Sequence, residues 1–220
     1  MPTVPEWIED YATVVGPEPD DVIEEMDEYA DREGFPTVGP AVGGWLELLA
    51  RMVGAERVFE FGSGYGYSAY WFARALPADG EIVLTEVDRD ELDLAREYLD
   101  RGDFEATIQY EHGDALDIVD TYDGLFDVAL IDNEKTRYRE AFEAIRENIS
   151  PGGIVVADNA IAGGSIDADA VTDLLTGDSE SADEMSEGIA TFIEALHEES
   201  DFEASLLPVG EGVAVGHRTE

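Results

Sequence analysis

Three short segments carry side chains whose types and spacing could do chemistry. The first is Glu60-Phe61-Gly62-Ser63-Gly64-Tyr65-Gly66-Tyr67-Ser68, a glycine-rich run after an apolar stretch. Glycines let the backbone turn tightly and approach a ligand, and free amides at a helix start attract an anion. Such a loop suits the pyrophosphate of a dinucleotide or the methionine carboxylate of S-adenosylmethionine. Its G-x-G-x-G spacing counts against the dinucleotide. The second segment is Glu86, 24 residues past Gly62, an acid placed to accept both hydroxyls of a ribose. Gly113-Asp114-Ala115 follows further on, within reach of a nucleobase.

The third pairs Asp132-Asn133-Glu134-Lys135 with Asp158-Asn159. Two carboxylates and an amide oxygen converging at one sheet edge make a hard-oxygen site for Mg²⁺, Mn²⁺ or Ca²⁺. A lone Asp at a strand end is commonly a helix cap, but two such ends, one with an adjacent Asn, are less easily explained that way. Lys135 is the only Lys in the chain, against 11 Arg. An Arg stays protonated at any usable pH, whereas an ammonium beside a divalent ion can lose its proton and serve as a base.

These residues need a frame that brings strand ends together. Apolar strands are read at Val58–Phe61, Ile82–Glu86, Thr107–Tyr110, Phe126–Ile131 and Ile154–Ala157, alternating with helices at Ser68–Ala75, Arg89–Asp100 and Tyr138–Asn148. That alternation predicts a Rossmann-like α/β fold: a mostly parallel sheet with helices on both faces and the candidate residues at its carboxyl edge. Glu203–Leu207 and Val213–Val215, joined through Pro208–Gly212, read as a closing antiparallel hairpin. Residues 1–35 form a helical N-terminal extension, and a further helix is expected over Val42–Met52. Residues 163–188, acidic and containing glycine, read as a mobile surface insertion with one short helix near Ala168–Leu175. One domain over 1–220 accounts for the length.

The formal charge is −41, from 53 acidic and 12 basic residues, yet 44% of the chain is hydrophobic. That apolar content supports a core and argues against disorder. Uncompensated acid repels itself at ordinary ionic strength. In molar salt the screening length falls to roughly 3 Å, so the composition suits a cytoplasm of very high salt. No basic footprint for nucleic acid or an anionic membrane is present, no run is long enough to span a bilayer, and the acidic start lacks a secretory n-region. Cysteine is absent, which removes disulfides and thiolate chemistry.

Taken together, EFGSGYGYS, ALIDNEKTRY and ISPGGIVVADNAIAGG resemble the cation-dependent class I S-adenosylmethionine O-methyltransferases, the group of the catechol and caffeoyl-CoA enzymes. The resemblance runs from about Phe35 to Gly216. It implies a seven-stranded sheet whose last strand is antiparallel. Carried over by position, it implies Asp132, Asp158 and Asn159 as metal ligands and Lys135 as catalytic base. It also implies cofactor contacts from Val38, Glu60, Gly62, Tyr65, Ser68, Glu86, Gly113, Asp114, Ala115 and Asp132. Two departures count against catechol itself as the acceptor. Glu134 stands where the animal catechol enzyme has an aromatic residue, and Ser205 stands at its second acidic contact, for which Glu203 or Glu211 could substitute.

The reading is divalent-metal-assisted methyl transfer from S-adenosylmethionine to a hydroxyl of a small, vicinal-dihydroxy acceptor. Within the family, a hydroxylated tRNA nucleoside is the alternative acceptor, which the missing basic patch disfavours. From another class, an NAD-dependent oxidoreductase would use the glycine loop and Glu86 but leaves the Asp132 and Asp158 ends unexplained. A non-catalytic binding module would not require every proposed ligand to be present. The apolar residues Trp7, Ile8 and Tyr11 offer either a homodimer contact or a cap on the sheet.

Overall fold

A computed structural model describes residues 5–220. Its seven strands are β1 (Arg57–Phe61), β2 (Glu81–Glu86), β3 (Thr107–His112), β4 (Phe126–Ile131), β5 (Ile149–Ala157), β6 (Phe202–Leu207) and β7 (Val213–Arg218). They form one sheet in the order β3-β2-β1-β4-β5-β7-β6. The pairs linking β1 to β5 are parallel, and β7 runs antiparallel to both β5 and β6. The expected seven-stranded sheet with its antiparallel final strand is therefore observed. Among the described residues no helix is long and apolar enough to cross a membrane.

Successive strand residues serve opposite faces, and both faces are covered, which is why the central strands read as continuous apolar runs. Val58, Leu84, Val128, Leu130 and Val156 pack beneath α2 (Asp21–Glu33), α3 (Gly39–Val53), α4 (Tyr67–Ala73) and α5 (Arg89–Leu99). Phe59, Phe61, Val83, Ala129 and Val155 pack beneath α6 (Ala115–Val119), α7 (Tyr138–Ile145) and α9 (Glu184–Glu198). In the N-terminal extension, α2 buries Ile23, Met26 and Ala30 in the first of these cores, whereas α1 (Glu6–Val15) leaves Trp7, Tyr11, Val14 and Val15 exposed.

Acidic residues also define helix starts. Asp20, Asp88, Asp114, Asp167 and Asp183 each accept backbone amides at the N-termini of α2, α5, α6, α8 (Ala168–Thr176) and α9. Such caps contribute about 1 kcal/mol each.

Three features depart from the pattern read in the sequence. β5 starts at Ile149 rather than Ile154, because a register shift lets Ile149 pair with Phe126 ahead of the Pro151-Gly152-Gly153 kink. The short helices α6 and the whole of α9 were not anticipated. Residues 163–188 contain the expected helix as α8, but the first turn of α9 also falls within them, and the segment is tied down. Val171 is buried, Ser165 Oγ donates to Asp183 Oδ1 at 2.7 Å, and Asp167 N donates to Ser186 Oγ at 3.0 Å.

Candidate active site

The carboxyl ends of β1, β2, β4 and β5 open into a cavity of about 610 Å³. Val38, Gly62, Tyr65, Ser68, Glu86, Gly113, Asp114, Ala115, Asp132, Lys135, Asp158 and Asn159 all line it. Glu60 does not. Although it begins the glycine motif, it points inward from β1 and is fully buried, with no hydrogen-bond partner on either carboxylate oxygen. Burial pushes its carboxyl up to about 8; a nearby Ser68 hydroxyl pulls the other way without reaching hydrogen-bonding geometry. Glu60 thus stands behind the loop and makes no direct contribution to the cavity wall.

After β1 the chain turns at Gly62, whose φ of 82° is left-handed. A Cβ there would come within 2.8 Å of the Asp132 carbonyl, so glycine permits the close approach of the β1 and β4 ends. Glu86, at the end of β2, holds the same loop from the other side. Its Oε2 accepts Gly64 N at 2.9 Å and its Oε1 accepts Asp88 N at 3.0 Å. Glu91, in the first turn of α5, also lines the cavity. Burial, followed by the charges of Glu86 and Asp88, lifts its carboxyl to about 7. Nothing in the spacing of Glu91 distinguishes it from the many acids around it.

Asp114 has both oxygens engaged. Oδ1 caps α6 through Leu116 N at 3.0 Å, and Oδ2 accepts Arg137 Nη1 at 2.8 Å. That guanidinium holds the Asp114 carboxyl below the usual range. Arg137 also lines the cavity and ties this loop to the one after β4, a role its sequence position did not reveal.

The β4 and β5 ends meet as the spacing predicted. Lys135 Nζ donates to Asp132 Oδ1 at 2.9 Å and to the Tyr138 hydroxyl at 2.6 Å. Tyr138 in turn donates to the Asp158 carbonyl at 3.2 Å. Burial is the largest cause acting on the Asp132 carboxyl and raises it despite the opposing pull of Lys135, although its side chain remains 28% exposed to the cavity. Asp158 is more enclosed. Burial, then the charge of Asp132, lifts its carboxyl to about 7, and Oδ1 is buried without a partner. Asn159 sits beside it in the left-handed region, at φ 57°. An orphaned carboxylate oxygen next to a second carboxylate and an amide fits a hard cation. Among the described residues no group of three or more His, Asp or Glu side chains is placed to hold a metal, so any ion here would rest on two carboxylates, the amide and outside oxygens.

The remaining wall comes from Phe35, Pro36 and Thr37 before α3, from Gly163, Gly164 and Met185, and from Glu211 in the β6–β7 turn. Phe35 also packs edge-on against Tyr65 at 4.9 Å, so it serves both as cavity wall and as core packing. Of the three residues considered for a second acidic contact, only Glu211 reaches the cavity; Glu203 and Ser205 lie along β6.

Known proteins agree with this arrangement. The profile of a family described as "O-methyltransferase" matches residues 18–219. A catechol O-methyltransferase from Niastella koreensis is 36% identical over 139 residues, 60% of this chain, a match that spans 63% of that protein. A caffeoyl-CoA O-methyltransferase from Stellaria longipes is 26% identical over 84% of this chain and 77% of its own. Among solved structures, the O-methyltransferase TomG from Streptomyces achromogenes, in complex with SAM, superposes with a TM-score of 0.84 at 29% identity, covering 97% of this chain and 96% of its own. An O-methyltransferase from Bacillus cereus in complex with SAH gives 0.81 at 27% identity, covering 96% and 97%. With a parallel sheet opening at its carboxyl edge, a glycine loop opposed by Glu86, and a family match over nearly its full length, the chain belongs to the O-methyltransferase family of the catechol and caffeoyl-CoA type.

Proposed function

We propose that this protein transfers a methyl group from S-adenosylmethionine to a hydroxyl of a small acceptor bearing two neighbouring oxygens, with a divalent cation held by Asp132, Asp158 and Asn159. The observation that carries this reading is the partnerless, buried Asp158 Oδ1, in the wall of the same cavity as Lys135 and Glu86. When bound, the sulfonium cofactor supplies the methyl group, and the cation lowers the pKa of a chelated hydroxyl.

The chain's own residues do the rest. Glu86 and the amides of the glycine loop hold the ribose and methionine ends, with Val38, Gly113, Asp114 and Ala115 around the remainder of the nucleoside. Lys135 takes the proton from the acceptor hydroxyl; its Nζ is held in place by Asp132 and Tyr138. Such general-base assistance is worth about 10²- to 10⁴-fold in rate. Phe35, Pro36 and Met185 narrow the mouth of the cavity and exclude water, which favours the meeting of an oxyanion with a sulfonium. Glu134 at the acceptor side is exposed and acidic, which supports an acceptor other than plain catechol.

The net charge of −41 supports a small acceptor over a tRNA and a working environment of molar salt in the cytoplasm. The exposed apolar residues of α1 support self-association as a dimer. The test is methyl transfer from labelled S-adenosylmethionine to vicinal diols, catechols and hydroxylated nucleosides in molar KCl, with and without chelator. Chelator-sensitive labelling of a small dihydroxy acceptor is the expected result. Turnover indifferent to chelator refutes the metal assignment, and thermal stabilisation by NAD but not by S-adenosylmethionine refutes the cofactor.

A further inference from the structure

We infer that Glu211 is a positioning residue that fixes the amide orientation of Asn159, so that the Asn159 carbonyl oxygen, not its nitrogen, is presented to the cation. The inference rests on the proposed metal site and goes beyond it, because Glu211 belongs to neither strand end that forms that site.

An asparagine can ligate a hard cation only through its oxygen, and a free amide can flip. Here Asn159 Nδ2 donates to Glu211 Oε2, a short contact between the loop after β5 and the β6–β7 turn. A carboxylate only accepts, so it captures the NH₂ end and turns the oxygen the other way. Glu211 is not itself placed as a third acidic ligand, since it does not complete a metal-holding group with Asp132 and Asp158. Its effect therefore passes through Asn159.

The backbone supports the same contact. Ile161 N and Ala162 N both donate to the Glu211 carbonyl at 2.9 Å, and Ala160 N donates to the Gly212 carbonyl at 2.8 Å. Three consecutive amides after Asn159 are thus clamped by the turn that carries Glu211. Space is reserved as well. At Gly163, with φ 111°, a Cβ would lie 2.6 Å from Glu211 Oε2 and 2.9 Å from Asn159 Nδ2. The pair occupies the volume that a side chain would otherwise take. Asp158 Oδ1, partnerless and buried, marks the neighbouring position as one that awaits a charge.

The test is direct Mn²⁺ binding in molar KCl, read by paramagnetic resonance of free Mn²⁺ rather than by turnover, on wild type, D158A, E211A, E211Q, N159A and E211A/N159A. Wild type should bind, D158A should not, and E211A should bind about 10- to 100-fold more weakly, as expected for removal of a group that orients a ligand. E211Q keeps an acceptor for Nδ2 and should recover most of the affinity. The double variant should bind no worse than N159A alone, because the two residues act as one unit. If E211A binds Mn²⁺ like wild type while D158A does not, the positioning role is wrong and the metal site stands. If E211Q is as weak as E211A, Glu211 acts by charge rather than orientation, and the inference fails. Additive losses in the double variant would mean that Glu211 contacts the ion itself, which also overturns it. No Mn²⁺ binding by wild type refutes the metal site and the inference together. Thermal melts of every variant in the same buffer show whether the fold is intact.

Discussion

Glu60 gives a sharp test of the physical reading, because it is a charge-capable group walled into β1 with nothing to pair with. Its carboxyl is pushed from an ordinary 4.5 to about 8, so at neutral pH the folded protein carries it protonated. On unfolding the proton is released, so the unfolded chain binds fewer protons throughout that window. Stability therefore falls as pH rises, by about 1.4 kcal/mol for each pH unit a single such group controls. The contribution is complete below 4.5 and gone above 8. Glu60→Gln removes the titration while keeping the shape. Between pH 5 and pH 8 the variant should gain on wild type by up to about 4 kcal/mol. The assay is guanidinium unfolding in molar KCl at each half pH unit, followed by tryptophan fluorescence, with the midpoint difference plotted against pH. A difference that stays flat across the range would mean that Glu60 is solvated or paired, and the burial argument would be wrong.

Three further outcomes follow from the site and the surface. Lys135→Ala should reduce methyl transfer by about 10²-fold or more while leaving S-adenosylmethionine affinity, read by calorimetry, within a few-fold of wild type; undiminished turnover would remove Lys135 from the base role. Glu86→Gln should weaken cofactor binding by about 10-fold or more without abolishing folding, since the carboxylate anchors both the Gly64 and Asp88 amides and the proposed ribose contact. Melting temperature should climb steeply with KCl up to molar concentrations and climb less in the same concentration of a zwitterionic osmolyte, because screening of −41 charges is the cause.

Much of the architecture was legible because it follows from period and composition. Strands covered on both faces are largely apolar, and Val58–Phe61 and Phe126–Ile131 are so apart from Glu60 and Asp127. Residues that line the cavity were legible where their types are unusual: a sole Lys, an Asp-Asn pair at a strand end, glycines in a fixed rhythm. Glu91 and Arg137 escaped because nothing in their type or spacing marks them out, and only their neighbours make them special. Glu60 is the one expected cofactor contact that does not line the cavity. Motif position suggested the cavity, whereas Glu60 is fully buried behind its wall. Helix α9 was missed because its first turn lies in an acidic, glycine-containing stretch, while the burial of Ile189, Phe192 and Leu196 that stabilises it depends largely on packing against α7, distant in sequence.

On a ribosome, strands β1 to β5 and nearly all the cavity-lining residues emerge well before residues 202–218. A nascent chain at that stage could already enclose a nucleoside, but the loop after β5 would lack the turn that clamps it. The backbone clamp on that loop, and with it the hold on Asn159, is thereby completed only once the hairpin has docked.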